Sequence, residues 1–171
     1  MIKLLCIGKL KEEYLKEAVN DYLKRLNKYT KIELIELKDS NINTEKDEIL
    51  KHIKTSDFIV SLAIEGKELN TLEFKNLIEN NFINGNSNIT FIIGGSDGLH
   101  DEIKELSNEK ISFSRLTYPH GLFRVILLEQ IYRSFKIMNN ETYHKWTSIL
   151  QEKLVFSLCS LVLTPKDLYN S

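Results

Sequence analysis

The stretch Ile89 to Lys145, ITFIIGGSDGLHDEIKELSNEKISFSRLTYPHGLFRVILLEQIYRSFKIMNNETYHK, decides how this chain is read. An apolar strand, Ile89 to Ile93, runs into the double glycine Gly94-Gly95. A second strand, Ile111 to Phe113, runs into the turn Ser114 to His120, closed by Pro119. A long apolar helix, Leu122 to Met138, then leads to the triplet Tyr143-His144-Lys145. Strand ends that open into loops are where α/β proteins place ligands. Two such ends this close in sequence predict one pocket built from adjacent loops.

Upstream, strand and helix alternate. Ile2 to Ile7 reads as a strand stopped by Gly8. Tyr14, Leu15, Ala18, Val19, Tyr22, Leu23 and Leu26 then fall on one helical face with charges opposite. Lys31 to Leu37 has strand character, Asp39 to Thr44 reads as a polar loop, and Glu45 to Ile53 as a short amphipathic helix. Phe58 to Ala63 is a continuous apolar run, as in a strand buried on both faces. Gly66 breaks the chain there, Thr71 is placed to cap a helix over Leu72 to Phe82, and Asn84-Gly85-Asn86 is a turn. Asp101 to Leu106 is a further short helix. This order predicts an α/β fold, a mainly parallel sheet flanked by helices. No linker, repeat or low-complexity tract interrupts it, so one domain is expected.

Composition agrees. The chain has 171 residues, 42% of them hydrophobic and 27% charged, enough for one sizeable core. A net charge of −1 supplies no overall attraction to nucleic acid, so an RNA partner must be held locally. Cys6 and Cys159 lie in apolar runs without metal-ligand spacing, which fits buried free thiols in a reducing, cytoplasmic setting. No metal is expected. The first residues do not have the form of a signal peptide, and no stretch has the roughly 18 apolar residues of a membrane span.

Apolar residues cover more than one face of the Leu122 to Met138 helix, so it should be buried nearly all round. One face can cover the sheet and another can meet a second copy, which predicts a homodimer. Glu129 and Arg133 read as an ordinary i, i+4 ion pair. Arg124 follows the Pro119-His120 turn directly and is a candidate to point into the pocket. The turn Gly94-Gly95-Ser96-Asp97-Gly98 is neither a dinucleotide fingerprint nor a P-loop. Its glycines would still allow close backbone approach to a flat group such as adenine. His120 and His144 are candidates for proton transfer, against the plainer reading of two structural or exposed histidines.

FIIGGSDGL, ISFSRLTYPHGLFRVILLEQIYRSF and the closing YHK, together with MIKLLCIGKLKEEYLKEAVNDYLKRL and SLAIEGKELNTLEF, resemble the RlmH family. These are SPOUT-class methyltransferases acting on N3 of a pseudouridine in large-subunit ribosomal RNA. The resemblance runs in order over residues 1 to about 145. It implies a C-terminal trefoil knot, a homodimer, and S-adenosylmethionine as cofactor. By position it assigns Leu62, Gly94, Phe113, Ser114, Arg115, Leu116, Thr117 and Tyr118 to the cofactor. His144 becomes the first candidate for the base or base-positioning group, and Tyr143 would stack on or hydrogen-bond the nucleobase. Lys145 would meet a phosphate or the imide anion, with His120 and Arg124 as further catalytic candidates. The large-subunit RNA, or the ribosome carrying it, would be the partner. Alternatives are a SPOUT methyltransferase with another RNA target and a non-catalytic dimeric RNA-binding protein. Members of the family end near the YHK-type triplet, whereas this chain continues through residues 146–171. That apolar extension is expected either to pack on the dimer or to be incidental, and the second reading is preferred.

Overall fold

The computed structural model describes residues 1–86 and 88–142. Its strands are Ile2–Ile7 (β1), Ile32–Leu37 (β2), Phe58–Glu68 (β3), Ile89–Ile93 (β4) and Glu109–Ser112 (β5). Its helices are Glu13–Leu26 (α1), Ile42–His52 (α2), Thr71–Ile83 (α3), Asp101–Leu106 (α4) and His120–Met138 (α5). The strands form one sheet in the order β2-β1-β4-β3-β5, and every pairing is parallel. β1, β4 and the first half of β3 are almost fully buried, as strands covered on both faces must be.

The helices sort by direction of travel. Moves toward the β2 edge pass through α1 and α3, whose Leu15, Val19, Phe74 and Ile78 join one core. Moves toward the β5 edge pass through α2 and α4, whose Ile49 and Ile103 join a second core on the opposite face. A single crossover hand produces this sorting. Helix α5 closes the first core, packing against α1 and α3.

Several boundaries differ from the sequence expectation. Helix α2 begins at Ile42 rather than Glu45, because the Asn41 side chain accepts a hydrogen bond from the Thr44 amide at 3.0 Å. The cap of α3 is Asn70, not Thr71: its side chain accepts from Leu72 and Glu73 amides, and Glu73 accepts from the Asn70 amide in return. This reciprocal box satisfies donors that the helix itself cannot. Helix α5 starts at His120 rather than Leu122, and β5 spans Glu109–Ser112 rather than Ile111 to Phe113. Most consequential is β3, which does not stop at Gly66 but runs on to Glu68, with a register shift between Leu62 and Lys67. A Cβ at Gly66 would lie 2.7 Å from the Ile111 amide nitrogen. Glycine is required there because β5 passes against the backbone, not because the strand ends.

Two buried polar groups tie the layers together. Lys3 Nζ donates to Asp57 Oδ2 at 3.1 Å and to the His52 carbonyl, and Thr90 also donates to Oδ2. Cys6 is fully buried, and that burial pushes its thiol up to about 12 despite the nearby Arg124 guanidinium.

Candidate functional site

The middle of β3 and the loops after β4 and β5 lie side by side and enclose a groove of about 470 Å³. That falls within the roughly 300–1,000 Å³ of small-molecule sites. Leu62, Ile93 and Ile111, all buried, make the apolar floor. The turn Gly94–Leu99 forms one wall and Phe113–Tyr118 the other.

Each wall is fixed locally. A Cβ at Gly94 would sit 2.5 Å from the Gly98 carbonyl carbon and 3.0 Å from Leu99 Cγ. The turn is thus folded back on its own backbone at that residue. In the other wall, Ser112 Oγ donates to the Ser114 carbonyl and Ser114 Oγ accepts from the Leu116 amide, both at 3.0 Å. Phe113 meets Phe74 and Phe123 edge-on, with centroids 5.5 and 5.3 Å apart, and Tyr118 stacks on Phe123 at 5.8 Å. Such aromatic pairs favour one geometry, so the first turn of α5 braces this wall.

The structure brings together Leu62, Gly94, Phe113, Ser114, Leu116, Thr117, Tyr118 and His120 along the groove. Arg115 is not among the lining residues, since its side chain is 94% exposed and turned to solvent. Arg124, expected as a pocket candidate, is corrected. Its guanidinium is buried and donates to Glu36 Oε1 at 2.6 Å and to the carbonyls of Ile7 and Gly8 at 2.8 and 2.7 Å. Helix phase aims it at β1 and β2, away from the groove. Tyr143, His144 and Lys145 lie outside the described residues.

Sequence reading missed Ile64, Glu65 and Lys104 in the lining. Lys104 Nζ pairs with Glu65 at 2.7 Å and with Asp101 at 3.3 Å. The hydrogen bond from Lys104 holds the Glu65 carboxyl below its usual range, and Glu65 in turn raises the Lys104 ammonium. Ile64 and Glu65 enter the lining because β3 continues past Gly66. Among the described residues no cluster of three or more His, Cys, Asp or Glu could hold a metal, and no helix is long and apolar enough to cross a membrane.

The groove therefore offers an apolar floor, backbone polar groups in two tight turns, and His120 in its lining. That combination suits a planar aromatic ring with hydrogen-bonding edges. Comparison with known proteins gives the class of chemistry. Residues 1–144 match the family model described as a predicted SPOUT methyltransferase. A ribosomal RNA large subunit methyltransferase H from Clostridium botulinum is 47% identical over 157 residues, covering 84% of this chain and 99% of the relative. A protein of the same name from Enterococcus faecalis is 48% identical over the same coverage. A probable methylase family protein from Haemophilus influenzae shares the fold at a TM-score of 0.52 and 9% identity, over 84% of this chain and 70% of that one. The chain therefore belongs to the SPOUT methyltransferases and, within them, to the ribosomal RNA large subunit methyltransferase H family.

Proposed function

We propose that this protein is a cytoplasmic enzyme that uses S-adenosylmethionine to methylate N3 of a pseudouridine in large-subunit ribosomal RNA. The observation that carries the reading is the convergence of Leu62, Gly94 and the Phe113 to Tyr118 wall on one groove, in a chain of this family. The groove fits the cofactor on its own features: an apolar floor for the adenine ring, and a glycine turn with no side chain over its backbone.

The cofactor supplies an electrophilic methyl group when bound. The chain must then orient the base and deal with the N3 proton, which is positioning and acid–base work. Backbone groups of the Gly94 and Ser114 to Tyr118 turns hold the cofactor's polar edges. Phe113, Phe123 and Tyr118 keep that wall in place. His120, in the groove lining, is a second-rank candidate for the proton.

His144 remains the first candidate, with Tyr143 against the base, and the course of α5 supports their serving the groove of a second copy. Helix α5 starts at the groove and its 19 residues carry the chain about 28 Å away. At its far end Glu141 accepts a hydrogen bond from Tyr29, just before β2, at 3.0 Å. His144 follows Thr142 by two residues, a reach of about 7 Å. That span favours a triplet that serves the groove of a second copy. On this reading catalysis needs a homodimer.

The reading is tested by mass spectrometry of large-subunit RNA from cells with and without the protein. One pseudouridine is expected to lose a methyl group, and the purified protein with S-adenosylmethionine should restore it. A full complement of methylated pseudouridine in the deleted strain would overturn the proposal. Loss of a methyl elsewhere would indicate another RNA target.

A further inference from the structure

We infer that Arg115 is a substrate-contacting residue, binding a phosphate of the RNA at the rim of the groove, rather than a side chain that holds the cofactor. The inference rests on the proposed RNA substrate.

Arg115 stands between two groove-lining residues, Ser114 and Leu116, yet its own side chain is 94% exposed. The Ser114 hydroxyl bond to the Leu116 amide, 3.0 Å long, holds the turn around it. The backbone can thus face the groove while the side chain leaves it, and the direction is set by the turn. Its one ion-pair partner among the described residues is Glu68, met through Nε at 3.5 Å, with Glu68 itself 59% exposed. A pair this long and this solvated binds weakly. Both terminal nitrogens of the guanidinium have no hydrogen-bond partner among the described residues. That planar fork is matched to the oxygens of a phosphate.

Lys104, which does line the groove, is differently placed. Lys104 is committed to Glu65 and Asp101. A chain of net charge −1 has no overall field to draw RNA in. A nucleobase entering the groove must cross its rim with its backbone outside, where phosphate contacts set register. Arg115, between two lining residues and 94% exposed, extends a cation from that rim. One such contact contributes a sequence-independent, salt-dependent part of the binding.

The test uses the full chain and large-subunit RNA from cells lacking the protein. Arg115→Gln should raise the KM for RNA about five- to ten-fold and lower the salt dependence of RNA binding by about one phosphate contact, a change near 0.7–0.9 in the log–log slope. Arg115→Lys should recover most of the slope. The affinity for S-adenosylmethionine, by calorimetry, should be unchanged in both. An unchanged KM and slope in Arg115→Gln would overturn the inference. So would a fall in cofactor affinity that accounts for the loss of activity. If the unaltered protein methylates no RNA, the functional reading itself fails, which is a separate result.

Discussion

Gly94 shows how one residue can govern the groove without touching a ligand through its side chain. Its missing Cβ leaves room for the backbone of Gly98, which lies where that atom would be. Backbone cannot yield as a flexible side chain can, so Gly94→Ala should displace the turn. The expected result is at least ten-fold weaker S-adenosylmethionine binding by calorimetry, with a modest fall in thermal midpoint. Wild-type affinity in that variant would remove the turn from the cofactor site. Asp57 works through charge. Burial alone would raise its pKa, but hydrogen bonds from Lys3, the Lys54 amide and Thr90, together with the Lys3 charge, outweigh this and lower it. A lowered carboxyl stabilises the fold above its unfolded value, and that stability is lost as pH falls through the folded value. Urea unfolding should therefore show stability declining below about pH 4. In Asp57→Asn the acid-dependent part from this group should disappear. The variant should also be less stable at neutral pH by about 3–5 kcal/mol, because Lys3 is left charged and buried without its partner.

At the scale of elements, α5 has two unlike faces. Leu127, Leu128 and Ile131 are fully buried within the chain and Phe135 nearly so, so that face belongs to the monomer core. Leu122 is 41% exposed, and Ile126 and Ile137 are only partly covered. The two faces predict different outcomes. Ile131→Asp should unfold the protein, since an unpaired charge in the core costs several kcal/mol. Ile126→Asp should leave a folded chain, by circular dichroism, that has become monomeric by light scattering. A folded dimer of Ile126→Asp would place the interface elsewhere. The buried Arg124 sets the rotation of this helix. By holding the carbonyls of Ile7 and Gly8 and the carboxylate of Glu36, it pins the first turn of α5, and with it His120, to the end of β1.

For the whole molecule, the distance between the two ends of α5 makes a prediction about symmetry. If Tyr143 and His144 serve a partner's groove, neither of two defective chains need be inactive in company. A His144→Ala chain keeps its groove, and a Gly94→Ala chain keeps its triplet. Each should be nearly inactive alone. Their mixed dimer should contain one complete site, with about half the activity of the unaltered dimer. No recovery on mixing would mean that groove and triplet come from one chain. The residues beyond the family match form the other question at this scale. Truncation after Lys145 should leave a dimer of equal activity if residues 146–171 are incidental, measured by light scattering and methylation. An insoluble or monomeric product would show that the extension has become part of the core.

By itself the sequence determined what is local. Runs such as Ile89 to Ile93 and the stripe from Leu15 to Leu26 carry their period in adjacent residues, so strand and helix identities and their parallel α/β order were legible. The long motifs carried the family. Helix starts at Asn41 and Asn70 were missed by one or more residues because a cap depends on which side chain closes back on the helix. The tertiary structure alone decided what depends on residues far apart. β3 continues past Gly66 because β5 lies against it. Arg124 turns inward because partners 88 and 117 residues away meet it there, while Arg115 turns outward because a local turn faces its backbone to the groove. Side-chain direction is set by helix phase and by neighbours brought up in folding, and the pattern along the chain records neither.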